Sequence, residues 1–89
     1  MEKKEDNTIF LGDKKYGIYV YAIMNTLEKD KKAVIKTRGK HIPKAINIAD
    51  YLKREKEVKL KEVLIYTNVF KDKEGKDRRV PEIEIKLEK

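Results

Sequence analysis

Arg38-Gly39-Lys40 has the composition of a phosphate-binding turn. Two fixed cations flank a glycine, which lets the backbone approach a phosphate or adopt a positive φ. A helix beginning just after such a turn adds partial positive charge directed at an anion. The surrounding stretch sharpens the reading. From Lys31 to Ala49 there are six Lys/Arg (Lys31, Lys32, Lys36, Arg38, Lys40 and Lys44) and no Asp or Glu, in a chain with 16 acids elsewhere. The same residues also suit an ordinary strand-to-helix turn with solvated lysines. The missing acids favour phosphate, because charged segments elsewhere in the sequence mix signs.

Two further clusters could extend such a surface. Lys14-Lys15 places two cations at the start of a helical stretch, next to Asp13. Residues 71–79 carry five basic side chains (Lys71, Lys73, Lys76, Arg78, Arg79) against three acids, around Gly75. The five tyrosines could stack on bases, although core or interface positions are the commoner use at their spacing.

Catalytic and metal chemistry find little support. The chain has no cysteine and no serine, and His41 is the sole histidine. No carboxylate lies within eight residues of His41, so it reads as a neutral donor near a helix start. The four glycines are too dispersed for a nucleotide-binding loop. Neither a catalytic site, a metal nor a cofactor is expected.

The elements that must position these residues follow from apolar spacing. Residues 7–12 read as a strand, 14–30 as a helix and 33–37 as a strand. Residues 42–57 form the clearest helix, with Ile42, Ala45/Ile46, Ala49, Leu52 and the Lys53 stem on one face and Pro43 in the first turn. Residues 58–70 and 78–88 are strands. The second alternates, with Ile83, Ile85 and Leu87 inward and Glu82, Glu84 and Lys86 outward. The first changes phase near Glu62–Val63, which suggests a bulge. The expected fold is α+β: a β-α-β-α-β-β two-layer sandwich, one mixed sheet with both helices on one face. It forms a single domain over 1–89, with 1–7 as a flexible N-terminus.

Length adds a geometric constraint. Thirteen strand residues span roughly 43 Å, whereas a compact chain of this size has a radius of gyration near ~12 Å and a diameter of about 31 Å. The hairpin formed by 58–88 must therefore project as an arm, and a two-stranded ribbon has about the width of a nucleic-acid groove.

Composition bounds the rest. Eighty-nine residues make one small domain whose core is marginal without a partner subunit, so a homodimer is expected. Lys/Arg number 23 against 16 Asp/Glu, a net charge of +7, of which the 31–49 stretch supplies +6. The remaining surface is nearly neutral and suits ion-pair networks, as in heat-adapted proteins. No 18-residue apolar run exists, and the N-terminus "MEKKEDNT" is charged, so a soluble intracellular protein without a membrane role is expected.

Three segments carry a family resemblance. "FLGDKK" (10–15) is similar to a first strand and its G-x-K loop, and "AVIKTRGKHIPKAI" (33–46) to V-I-K-A-R-G-x-x-I-x-K-A-V. "EGKDRRVPEIEI" (74–85) is similar to D-G-R-x-x-R-V-S-x-I-E-I. Over about residues 8–88 the chain resembles the Alba family of small basic archaeal chromatin proteins. The resemblance implies a cytoplasmic, chromosome-associated homodimer that coats and compacts double-stranded DNA with little sequence preference, and that also binds RNA. Its central loops would sit on the backbone, with two hairpin arms along adjacent minor grooves.

By residue, Lys14 matches the loop lysine, Arg38, Lys40 and Lys44 match the signature's basic positions, and Lys76 and Arg79 match those of the arm. With the charge pattern, the candidate nucleic-acid-binding set is Lys14, Lys15, Lys36, Arg38, Gly39, Lys40, Lys44, Lys73, Lys76, Arg78 and Arg79. Three positions depart from the family pattern: Asp13 where many members have a lysine that is often acetylated, Pro43 for a small polar residue, and Lys56 where some members place an aromatic that joins dimers. An RNA-centred binder or chaperone, and a structural interaction module without nucleic acid, are the alternatives.

Overall fold

The computed structural model describes residues 7–89, and the expected flexible segment 1–7 lies outside them except for Asn7, whose carbonyl accepts the Val34 N–H at 2.8 Å. The chain runs through strand β1 (Thr8–Phe10), helix α1 (Tyr16–Asp30), strand β2 (Lys32–Arg38), a 3-10 turn (Gly39–His41), helix α2 (Ile42–Glu55) and strands β3 (Lys59–Lys71) and β4 (Asp77–Glu88). The sheet order is β1-β2-β4-β3. β1 pairs parallel with β2, and the other two pairings are antiparallel. This is the expected mixed sheet with both helices on one face.

Period-two burial builds the sheet side of the core. Ala33, Ile35 and Thr37 of β2 and Ile83, Ile85 and Leu87 of β4 are buried, while their neighbours face outward. Tyr19, Ile23 and Leu27 of α1, spaced by four, cover this face beside Ala45, Ile48, Ala49 and Leu52 of α2. The buried Thr37 hydroxyl donates to the Leu11 carbonyl at 3.0 Å, so no polar group is stranded there.

The structure corrects several sequence-based expectations. In α2 the buried isoleucine is Ile48, and Ile46 stays half exposed. The 45/48/49/52 phase leaves 46 about 100° off the face on a 3.6-residue helix. The helix stops at Glu55, because Glu57 takes a positive φ of 57° and Val58 folds back, its N–H donating to Leu52 O at 3.3 Å. β1 is shorter than 7–12, and α1 starts at Tyr16 because residues 12–15 form a pinned loop. The bulge falls between Leu60 and Glu62, just before the expected position, and it turns Val63 and Ile65 onto the core side opposite Ile85 and Ile83.

The hairpin overshoots the sheet. Arg38, the last residue of β2, pairs with Glu82, and five further β3–β4 pairs, Thr67↔Pro81 to Lys71↔Asp77, lie beyond it. Five residues extend roughly 17 Å. The radius of gyration is 14.2 Å and the longest dimension 45 Å, against 31 Å for the next, as an arm requires.

If Ile48 is the core anchor of α2, Ile48→Ala should cost about 2–5 kcal/mol in chemical denaturation. A loss below ~1 kcal/mol would place it outside the core.

Candidate nucleic-acid interface

Parallel pairing puts the C-terminal ends of β1 and β2 side by side, so the loops that follow them and the N-termini of α1 and α2 share one end of the sheet. The arm leaves from that same end. Three basic groups thus converge from sequence positions 14–15, 38–40 and 73–79.

The first loop is pinned from two sides. The Tyr19 hydroxyl accepts the N–H groups of Gly12 at 2.7 Å and Lys14 at 3.1 Å. The Lys44 ammonium donates to the carbonyls of Gly12 at 2.8 Å and Lys14 at 2.9 Å. That ammonium also lies 5.4 Å from the Tyr19 ring centre and 5.7 Å from that of Tyr16, within cation–π range. Two of the candidate cation Lys44's three donors are therefore engaged within the protein and shape the loop that presents Lys14 and Lys15. Tyr19 has the same supporting role. Sequence spacing marked it as a core aromatic, and its hydroxyl's two partners depend on a loop conformation that no periodicity encodes.

The second loop turns on Gly39, whose φ is +60°, a conformation that L side chains seldom adopt. Arg38 and Lys40 on either side are exposed, and no carboxylate or hydrogen-bond acceptor engages their side chains among the described residues. The same holds for Lys14 and Lys15. His41 has a partner that sequence distance hid: its Nε2 lies 3.4 Å from Asp13 Oδ1, across the two loops.

Both helix N-termini are electrostatically unfinished. Neither has a side-chain cap or an acid in its first turn, and Lys15 itself is the N-cap residue of α1. A helix N-terminus carries about half a positive charge, which acids stabilise and cations oppose. Here four unpaired cations crowd two such ends. An anion is the missing complement, and a polyanion could satisfy both at once.

At the arm the acids serve the turn. Asp72 Oδ1 accepts the N–H groups of Glu74 at 2.8 Å and Lys76 at 3.0 Å, and Gly75 takes a φ of +80°. Asp72 Oδ2 also lies 3.7 Å from Arg78, and Asp77 pairs with Lys71 at 2.8 Å. Lys73, Lys76 and Arg79 are left exposed and unpaired among the described residues. Of the candidate arm cations, only Arg78 is partly neutralised.

The face of the sheet opposite the helices is different. Lys36 lies 3.9 Å from Glu84, which also accepts the Tyr66 hydroxyl, and Asn68 donates to Glu82 at 2.5 Å. Desolvation and that bond to Glu84 push the Tyr66 phenol above its ordinary pKa, so it stays a neutral donor. Lys86–Glu62 and Lys61–Glu88 pair nearby. This is an internally compensated surface, and it places Lys36 apart from the unpaired cations.

Comparison with known proteins agrees with the geometry. The family model for Alba matches residues 7–70. The chain belongs to the Alba family. Among its relatives, the DNA/RNA-binding protein Alba of Methanococcus maripaludis is 32% identical over 86 residues, covering 92% of this chain and 97% of the relative. The protein of the same name from Thermoplasma volcanium is 33% identical, with coverage of 93% and 96%. The solved structure of Alba from Thermoplasma volcanium superposes with a TM-score of 0.82 at 31% identity, covering 93% of this chain and all of that one. The ALBA1 structure from Trypanosoma brucei, at 20% identity and a TM-score of 0.79, shares the fold, with coverage of 98% and 72%. Among the described residues no His, Asp and Glu cluster could hold a metal ion, and no helix is long and apolar enough to cross a membrane.

The uncapped helix ends of this chain have a consequence for stability. Lys15 already has the extended conformation of an N-cap, φ −70° and ψ 154°. Lys15→Asp should therefore stabilise the fold by about 0.5–2 kcal/mol, by capping α1 and complementing its dipole. Thermal unfolding at low salt would reveal an unchanged or lowered midpoint if this end were not charge-stressed.

Proposed function

We propose that this Alba-family chain binds nucleic acid through phosphate, packaging double-stranded chromosomal DNA without sequence preference and also taking RNA. The carrying observation is the convergence of four unpaired cations, Arg38, Lys40, Lys14 and Lys15, on two uncapped helix N-termini at the base of a basic arm. Phosphate is the anion that repeats along a polymer and can meet loops and arm together. The relatives' name, DNA/RNA-binding protein Alba, supports the same ligand class. Asn and Gln, which read adenine edges, are absent from the basic loops and the arm tip, and the Arg and Lys there can meet phosphate as well as guanine. In the cell the protein would sit on the chromosome in the cytoplasm.

The functional unit we propose is a homodimer. β3 is an edge strand, and its core-side residues Leu60, Val63 and Ile65 sit across from Leu87, Ile85 and Ile83 yet remain exposed, Ile65 by 73%. Ile46 of α2 adds to the same recess. A second copy would bury this stripe and double the phosphate contacts.

On B-form DNA each lost phosphate contact flattens the slope of log K against log salt by about 0.9. Arg38→Ala with Lys40→Ala in a dimer should remove up to about four contacts and flatten the slope by up to roughly 3.6. Truncating Lys73, Lys76 and Arg79 should shorten the protected length at less affinity per charge. A loop variant that keeps the full slope while the arm variant loses all binding would refute the loop-centred account. For the dimer, sedimentation should give twice the 10.5 kDa chain mass, and Ile65→Glu should return it to one.

A further inference from the structure

One exposed group beside the basic loops is not explained by phosphate binding. Phe10, the last residue of β1, is 69% exposed on an edge strand. It flanks a recess of about 290 Å³ that also involves Lys36, Arg38, His41 and Glu82. This volume is close to the lower bound of ~300 Å³ for small-ligand clefts. The Lys36 ammonium lies 6.0 Å from the ring centre. Phe10 directly precedes Leu11, whose N–H donates to the Lys36 carbonyl at 2.9 Å, so its backbone is fixed next to the end of β2.

We infer that Phe10 is a stacking platform for one unpaired nucleobase of a single-stranded or bulged nucleic acid. The proposal rests on the nucleic-acid reading above and specifies a second kind of ligand for the same end of the molecule. An aromatic ring offers any base a π-face, whatever the sequence. Arg38 and His41 on the rim can meet the phosphate flanking that base. Glu82 beside Lys36 and Arg38 leaves the recess with mixed charge, which an uncharged base can occupy next to the Phe10 ring. One Glu82 oxygen holds Asn68, and the other can accept from the amino group of a base edge. In a regular duplex the bases are stacked inward and cannot reach Phe10, so the site acts only on unpaired strands.

The test uses three probes at one salt concentration: a non-self-complementary 12-nucleotide RNA, the DNA of the same sequence, and the matching 12-base-pair DNA duplex. Fluorescence anisotropy of Phe10→Ala should show affinity for the single strands reduced about five- to thirtyfold. Duplex affinity should stay within about twofold, and Phe10→Trp should retain wild-type binding to all three. A loss on RNA and DNA strands alike assigns the site to the base alone. A loss on RNA only also supports the site and adds the ribose hydroxyl to its ligand. Phe10 is exposed, so Phe10→Ala should fold with an unchanged melting temperature, which a thermal melt checks. Unchanged single-strand binding, or an equal loss on the duplex, would overturn the proposal. A wild-type protein that bound none of the three would instead overturn the nucleic-acid reading beneath it.

Discussion

Parallel pairing of β1 with β2 is the constraint on which the rest of the molecule depends. Three register pairs, from Thr8↔Val34 to Phe10↔Lys36, send both strands out at the same end of the sheet. Each strand then feeds a helix whose N-terminus must lie at that end. The partial positive charges of the two helices therefore add, where an antiparallel arrangement would have separated them. Acids in the first turns or side-chain caps would relieve the repulsion; neither helix has them, although the Asp13 carboxylate lies near this end, 3.4 Å from His41. Each helix end thus lacks a few tenths to about one kcal/mol that a nearby anion would contribute.

Holding that site open requires internal charge of its own. Lys44 is spent on two carbonyls and two aromatic rings so that Lys14 and Lys15 are presented at the surface. Asp72 is spent on the turn of the arm, so that Lys73 and Lys76 flank a fixed ribbon tip. In both places a charge that looks like part of the binding surface, or like its dilution, is scaffolding. The outer face of the sheet pairs its charges locally, whereas Lys29, Lys31, Lys32, Lys53, Lys56 and Lys59 have no carboxylate partner among the described residues. What sets the proposed binding end apart is that its unpaired cations lie at two uncapped helix N-termini.

Much of this was legible in the sequence because it rests on local pattern. The alternation of Ile83, Ile85 and Leu87, the spacing of Tyr19, Ile23 and Leu27, and the glycine between Arg38 and Lys40 are short-range signals. The arm followed from strand length against domain size. What could not be read depended on contacts between distant residues. The Lys44 ammonium meets the Gly12 carbonyl 32 positions away, and His41 meets Asp13 across two loops. Ile46 and Ile48 are equally apolar, and only packing against the sheet selects between them. Phe10 lies in an apolar strand run yet is exposed, because its face of the sheet has no second layer, which a linear pattern cannot reveal.

The central claim is that phosphate is met at the end of the sheet where β1 and β2 finish, and along the arm, and not on the sheet's outer face. The most direct measurement is a titration of isotope-labelled protein with a short DNA duplex, followed by backbone amide chemical shifts. The account predicts the largest shifts at Lys14–Gly17, Gly39–Lys44 and Lys73–Arg79, with Glu84–Glu88 and the C-terminal half of α2 little changed. Shifts concentrated on the outer strand face around Glu84 and Lys86, with the Gly39 turn silent, would contradict it.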